Sequence, residues 1–153
     1  MRAGAATEAA GGGLPAARTS GQWKQDILRI YNSVNRDISG VGVSRQSVDL
    51  MGDRFLVVAN HQRIPALASI DAADRYLTRM TDVALIDESK RRLLVELGTV
   101  LGLSVRTILK DYDPVTETAA TVVILDDRLP VSDRMPQDPR LARVDDDRGS
   151  AIH

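Results

Sequence analysis

Apolar residues recur at three- and four-residue spacing from Trp23 through Ile27, Ile30, Tyr31 and Val34 to Ile38, while Lys24, Gln25, Arg29 and Arg36 fall between them. This spacing predicts one amphipathic helix whose apolar stripe packs on a sheet. Ser20 offers an N-cap, and Gly40 stands where a left-handed residue ends a helix. Beyond the glycine the period changes to two. Val48 and Leu50 alternate with Asp49, Met51-Gly52-Asp53-Arg54 turns the chain, and Phe55 to Ala59 returns it, which predicts a hairpin over Ser47 to Asn60. In the returning strand Phe55, Val57 and Ala59 face one way, and Leu56 and Val58 the other. Both faces therefore need cover, and a second subunit is the candidate for the face bearing Leu56 and Val58.

The same order repeats further on. Pro65 breaks the pattern, a short helix is predicted near Asp71 to Met80, capped by Ser69 or Asp71, and a longer one from Thr81 or Asp82. The longer helix carries Val83, Ile86, Leu93, Leu94, Leu97, Val100 and Leu101 and stops at Gly102; Asp87 with Arg91 and Glu88 with Arg92 form acid-first i,i+4 pairs. Val105 to Lys110 and Ala119 to Leu125 form a second hairpin across Asp111 to Glu117, a connection built on Asp113-Pro114. The prediction is an α+β domain, with a four-stranded antiparallel sheet of two hairpins and two or three helices on one face. It spans residues 21–128. Residues 1–20, rich in Ala and Gly, are expected to form a flexible leader, and residues 129–153, with Pro136, Pro139 and Asp145-Asp146-Asp147, a disordered acidic tail.

Composition removes several classes of function. The absence of cysteine excludes disulfides, thiolate catalysis and cysteine-ligated metals, and fits a reducing cytoplasm. A formal net charge of -1 and an aromatic content of 3% argue against nucleic acid, which asks for a basic footprint and stacking rings. No run approaches the roughly 20 apolar residues of a membrane-spanning helix.

Four groups resemble sites. Gly40-Val41-Gly42 follows a helix, whereas a phosphate loop precedes one, so these glycines are assigned to a turn. Asp111, Asp113 and Glu117 lack the glycine and twelfth-position glutamate of a calcium loop and are assigned to turn formation. Lys90, Arg91 and Arg92 could receive a small anion, an acidic partner or a lipid headgroup, although two acids one turn earlier favour a salt-bridged surface. His61, beside the Ile64-Pro65 break, has no orienting partner or nucleophile named by the sequence, so neither a catalytic role nor a metal or cofactor is expected.

From Ile27 to Leu125 the chain resembles a family of small bacterial proteins named after MpsC, a component of a sodium-translocating, membrane-potential-generating system. The residues that carry the likeness are Ser39 to Val43 at the helix end, the hairpin Ser47 to Val58, Ser89-Lys90-Arg91-Arg92-Leu93 leading to Leu101-Gly102-Leu103-Ser104-Val105, and Asp111-Tyr112-Asp113-Pro114 before Val122 to Leu125. Val43 stands where that family usually has a proline, and Ile64 to Leu77 lacks its usual Leu-Thr followed by a glutamate. The resemblance implies a non-enzymatic cytosolic accessory protein linked to ion or bicarbonate transport, reaching the membrane only through a transport-protein partner. The competing expectation is a small-anion sensor or enzyme in which Arg91, Arg92 and His61 surround a pocket near Ile64.

Overall fold

The structure, a computed structural model, describes residues 14–133. The first helix, α1, runs Ser20–Ser39. Its N-cap is Thr19 and not Ser20: the Thr19 side chain accepts from the Gln22 N–H, and the Gln22 side chain accepts from the Thr19 N–H at 2.9 Å. This reciprocal box fixes the start one residue earlier than a lone serine cap would. At the other end Gly40 adopts φ 74° and its N–H donates to the Arg36 carbonyl at 2.8 Å. A methyl group on Gly40 would meet nothing within 4 Å, so Gly40→Ala should cost only the left-handed backbone, about 1 kcal/mol by urea denaturation.

Strands β1 (Ser44–Met51) and β2 (Arg54–Asn60) form the first hairpin around Gly52-Asp53, with Gly52 at φ 66°. Strands β3 (Val105–Asp113) and β4 (Thr118–Leu125) form the second. β3 extends three residues beyond the expected Lys110, because Asp111 and Asp113 point away from the helices and cost nothing to expose. The sheet is antiparallel in the order β1-β2-β4-β3, so the two hairpins lie related by an approximate two-fold between β2 and β4. Each hairpin also has a register shift at the start of its first strand, between Ser44 and Ser47 and between Val105 and Thr107.

The middle helices differ from expectation. Pro65 does not separate a loop from a later helix but opens α2 (Pro65–Asp71) at its first turn, where its missing N–H is no loss. Asp74 then caps one continuous helix, α3 (Arg75–Leu101), by accepting from the Tyr76 and Leu77 N–H groups. The expected break at Thr81 does not occur. Gly102 ends α3 with φ 67°, as its position suggested.

All the helices lie on one face of the sheet, closing a core of Trp23, Ile27 and Tyr31 from α1, Leu93 and Leu97 from α3, and Phe55, Val57 and Val123 from the sheet. The domain is wider than residues 21–128. Leu129 is buried, Arg18 and Val131 form a parallel bridge, and the Trp23 Nε1–H donates to the Pro130 carbonyl at 3.1 Å. The rest of the expected leader and tail, 1–13 and 134–153, lies outside the described residues.

Candidate functional site

The inner face of the sheet is not wholly apolar where Tyr31 of α1 reaches β4. Tyr31 belongs to the apolar stripe of α1, yet a buried hydroxyl needs a partner, and it lies 2.9 Å from His61 Nε2 and 3.3 Å from Thr121 Oγ1. Burial pushes the Tyr31 phenol up to about 12, so it keeps its proton. Burial, together with the charge on Lys110, lowers His61 to about 4, so its imidazole is neutral and able to accept a hydrogen bond from the Tyr31 hydroxyl at Nε2. The Tyr112 hydroxyl donates to the His61 carbonyl at 3.1 Å, and the His61 N–H donates to the Glu117 carbonyl at 2.8 Å, fixing the loop that follows β2.

Beside this chain stands Lys110. Strand parity places it on the inner side, between Ile108 and Tyr112 and opposite Thr121. Its Nζ donates to Ser89 Oγ at 2.7 Å and to Asn35 Oδ1 at 3.2 Å, and lies 5.1 Å from the centre of the Tyr31 ring. None of the ion pairs among the described residues includes Lys110. Burial lowers its ammonium to about 8, which still leaves it mostly charged at neutral pH.

Of these groups Asn35, His61, Ser89, Lys110 and Tyr112 line a cavity of about 90 Å³ between the end of α1, the loop after β2, α2, α3 and the inner face of β3. Its apolar wall includes Ile38, Val43, Ile64, Leu67, Leu85 and Ile86. Gly42 also lines it: a Cβ there would stand 2.8 Å from Asn32 Oδ1, the atom that accepts from the Val43 N–H at 3.0 Å. A larger residue there would push the Asn32 side chain off that bond. At the far side Arg63 reaches Asp82 at 3.4 Å, with both side chains mostly buried, and this pair separates the cavity from a wider cleft between α3 and the turn at Pro114.

A lysine with a lowered pKa bonded to a serine resembles the base and nucleophile of a Ser–Lys hydrolase. Ser89, however, lies in the middle of α3 and is buried, and the N–H groups around it belong to the helix ladder. His61, likewise, spends its Nε2 on Tyr31. The arrangement is suited to binding, with an ammonium held at the end of an apolar cavity.

Of the residues singled out in the sequence, His61 borders this cavity, as does Ile64. Arg91 and Arg92 do not. They grip Glu88 at 2.8 and 2.7 Å on the exposed side of α3, and Lys90 lies 3.4 Å from Asp87. The pocket's cations are instead Lys110 and Arg63. Leu56 and Val58 occupy the outer face of the sheet, which no helix among the described residues covers. The acids of the second turn make local bonds: Asp113 accepts from the Val115 N–H and the Thr116 hydroxyl, and Glu117 from the Arg63 N–H. Among the described residues no three His, Asp or Glu side chains converge as metal ligands, and no helix is long and apolar enough to cross a membrane. Compared with protein families, curated proteins and solved structures, the chain has no significant match.

Proposed function

We propose that the chain is a non-enzymatic interaction module that works by protein–protein contact through the open face of its sheet, first as a homodimer. The observation that carries this reading is the chemistry of that face. Leu56 and Val58 on β2 pair across to Val122 and Ala120 on β4, with Ile124 beside them. The flanking strands present Ser47 and Asp49 on one side and Thr107, Asp111 and Asp113 on the other. An apolar centre inside a polar rim is the anatomy of an interface, whereas a solvated sheet face is polar throughout. Leu109 and Met51, 57% and 47% exposed, extend the apolar centre to both edge strands.

Four strands about 4.8 Å apart and eight residues long present roughly 500 Å² each, so two copies would bury about 1,000 Å², the lower bound of a specific interface. The wider role, a cytosolic accessory component of a membrane ion or bicarbonate transport system, is what the resemblance to the MpsC-like family supports, with the dimer as the unit that meets the transport protein. Size-exclusion chromatography with light scattering should give twice the chain mass at micromolar concentration. Leu56→Asp and Val122→Asp should each return the monomer without unfolding it, since both side chains lie outside the core. A monomeric parent chain would overturn the dimer.

A further inference from the structure

The cavity beside Lys110 has a chemistry that the sheet-face contact does not use. An ammonium has three N–H donors, and Lys110 spends two, on Ser89 and Asn35. Both acceptors are neutral, so the charge is hydrogen-bonded but not compensated. A buried cation in that position is costly unless an anion joins it. A second cavity-lining cation has a spare donor and no spare charge: Arg63 neutralises Asp82, but its Nε is buried with no hydrogen-bond partner among the described residues. With Arg63 and Asp82 cancelling, the cavity holds one positive charge to be met, which fixes the ligand as a monoanion.

Volume and wall narrow the class further. A cavity of roughly 150 Å³ holds a benzene-sized molecule of six heavy atoms, so about 90 Å³ encloses roughly four, and its open side leaves room for a fifth. The wall also carries the aliphatic side chains of Ile38, Leu67, Leu85 and Ile86, which suit a short alkyl group better than a second polar end.

We propose that this cavity is a receptor site for a short-chain monocarboxylate, its carboxylate against Lys110 and its alkyl end among Ile38, Leu85 and Ile86. The route in passes the Arg63–Asp82 pair, which borders both the cavity and the outer cleft. The site lies on the face of the sheet opposite the dimer surface, so the proposal stands or falls independently of oligomeric state.

Titration of the isotope-labelled full chain with propionate, at constant ionic strength in chloride and followed by nuclear magnetic resonance, tests it. Saturable shifts should concentrate at the Asn35 side-chain amide and the Ser89 and Ile86 backbone. Lys110→Met should weaken the apparent Kd roughly tenfold or more, as loss of a charge-assisted hydrogen bond does. Ile86→Phe, which keeps the lysine and fills the cavity, should also abolish binding and serves if Lys110→Met fails to fold. Arg91→Ala with Arg92→Ala should leave the Kd unchanged. Any of three results would overturn the proposal: no saturable shift with propionate, equal binding of uncharged propionamide, or equal binding by the folded Lys110→Met or Ile86→Phe variant.

Discussion

Replacing Trp23 by alanine should cost the domain about 3–5 kcal/mol, the range for truncating a fully buried large aromatic, against the 5–15 kcal/mol that folding leaves in hand. Trp23 is 0% exposed and joins three parts of the chain. Its ring packs in the core, the Arg18 guanidinium stands 4.6 Å from its centre, and its indole N–H holds the Pro130 carbonyl. Alanine would open a cavity and also release the pairing of Arg18 with Val131, where the Ser132 N–H donates to the Arg18 carbonyl at 2.9 Å. Thermal melting should fall by on the order of 10–20 °C. Trp23→Phe separates the two contributions, because it keeps most of the packing and loses only the donor. That variant should melt within a few degrees of the parent while the Ser132 amide exchanges faster. An unchanged Ser132 exchange rate would mean that the chain after Leu129 is held by something other than the indole.

Trp23 also shows how far the sequence could be read. Its place in the α1 stripe was plain, because one face of that helix is apolar and the other polar, and a single period then decides the structure. What it holds was not, since residues near Pro130 carry no pattern and their burial depends on a bond to a residue more than a hundred positions away. α3 was harder for the opposite reason. Leu94, Val95 and Val100 are exposed while Leu93, Leu97 and Leu101 are buried, so apolar residues on two sides blur the stripe. Its start was missed because Asp74 caps it from a stretch without apolar rhythm. The β2 alternation, by contrast, assigned both faces correctly, with Phe55, Val57 and Ala59 buried and Leu56 and Val58 turned outward.

For the cavity, His61 and the Ile64 region were legible from their position after an apolar strand. Lys110 was not, although the signal existed: counting by two from Ile108 puts it on the inner side, and a lysine there is out of place in a core. It was obscured because Asp111 and Asp113 made the segment look like the beginning of a turn. Arg91 and Arg92 were attractive only as a run of charge. Consecutive helix positions fan outward, and Glu88 one turn back satisfies both.

The pH profile of stability should carry the imprint of this buried network. Lys110 titrates near 8 in the folded chain and near 10.5 unfolded, so between these values the unfolded state binds the extra proton and stability rises with pH. The rise amounts to about 3 kcal/mol if completed. Tyr31 opposes it above pH 10, because its folded pKa is raised to about 12; its contribution is whole below 10 and is lost between 10 and 12. Urea denaturation should therefore show a maximum near pH 10. On the acid side His61, depressed to about 4, leaves stability intact above 6.5 and withdraws it as pH falls toward 4, by about 1–2 kcal/mol once solvent at its exposed edge is allowed for. Lys110→Met removes the charge from the core and should make the protein about 1–2 kcal/mol more stable at pH 7, the relief of burial exceeding the two lost hydrogen bonds. It should also erase the rise above pH 8 and shift the His61 limb toward 6.5, since the lysine charge is one cause of the histidine's low value. A variant less stable than the parent at pH 7, or one that keeps the alkaline rise, would show that the buried ammonium is not the source. A stabilised variant would mean that the chain keeps a lysine in its core at a cost to folding, as expected of a residue held for binding.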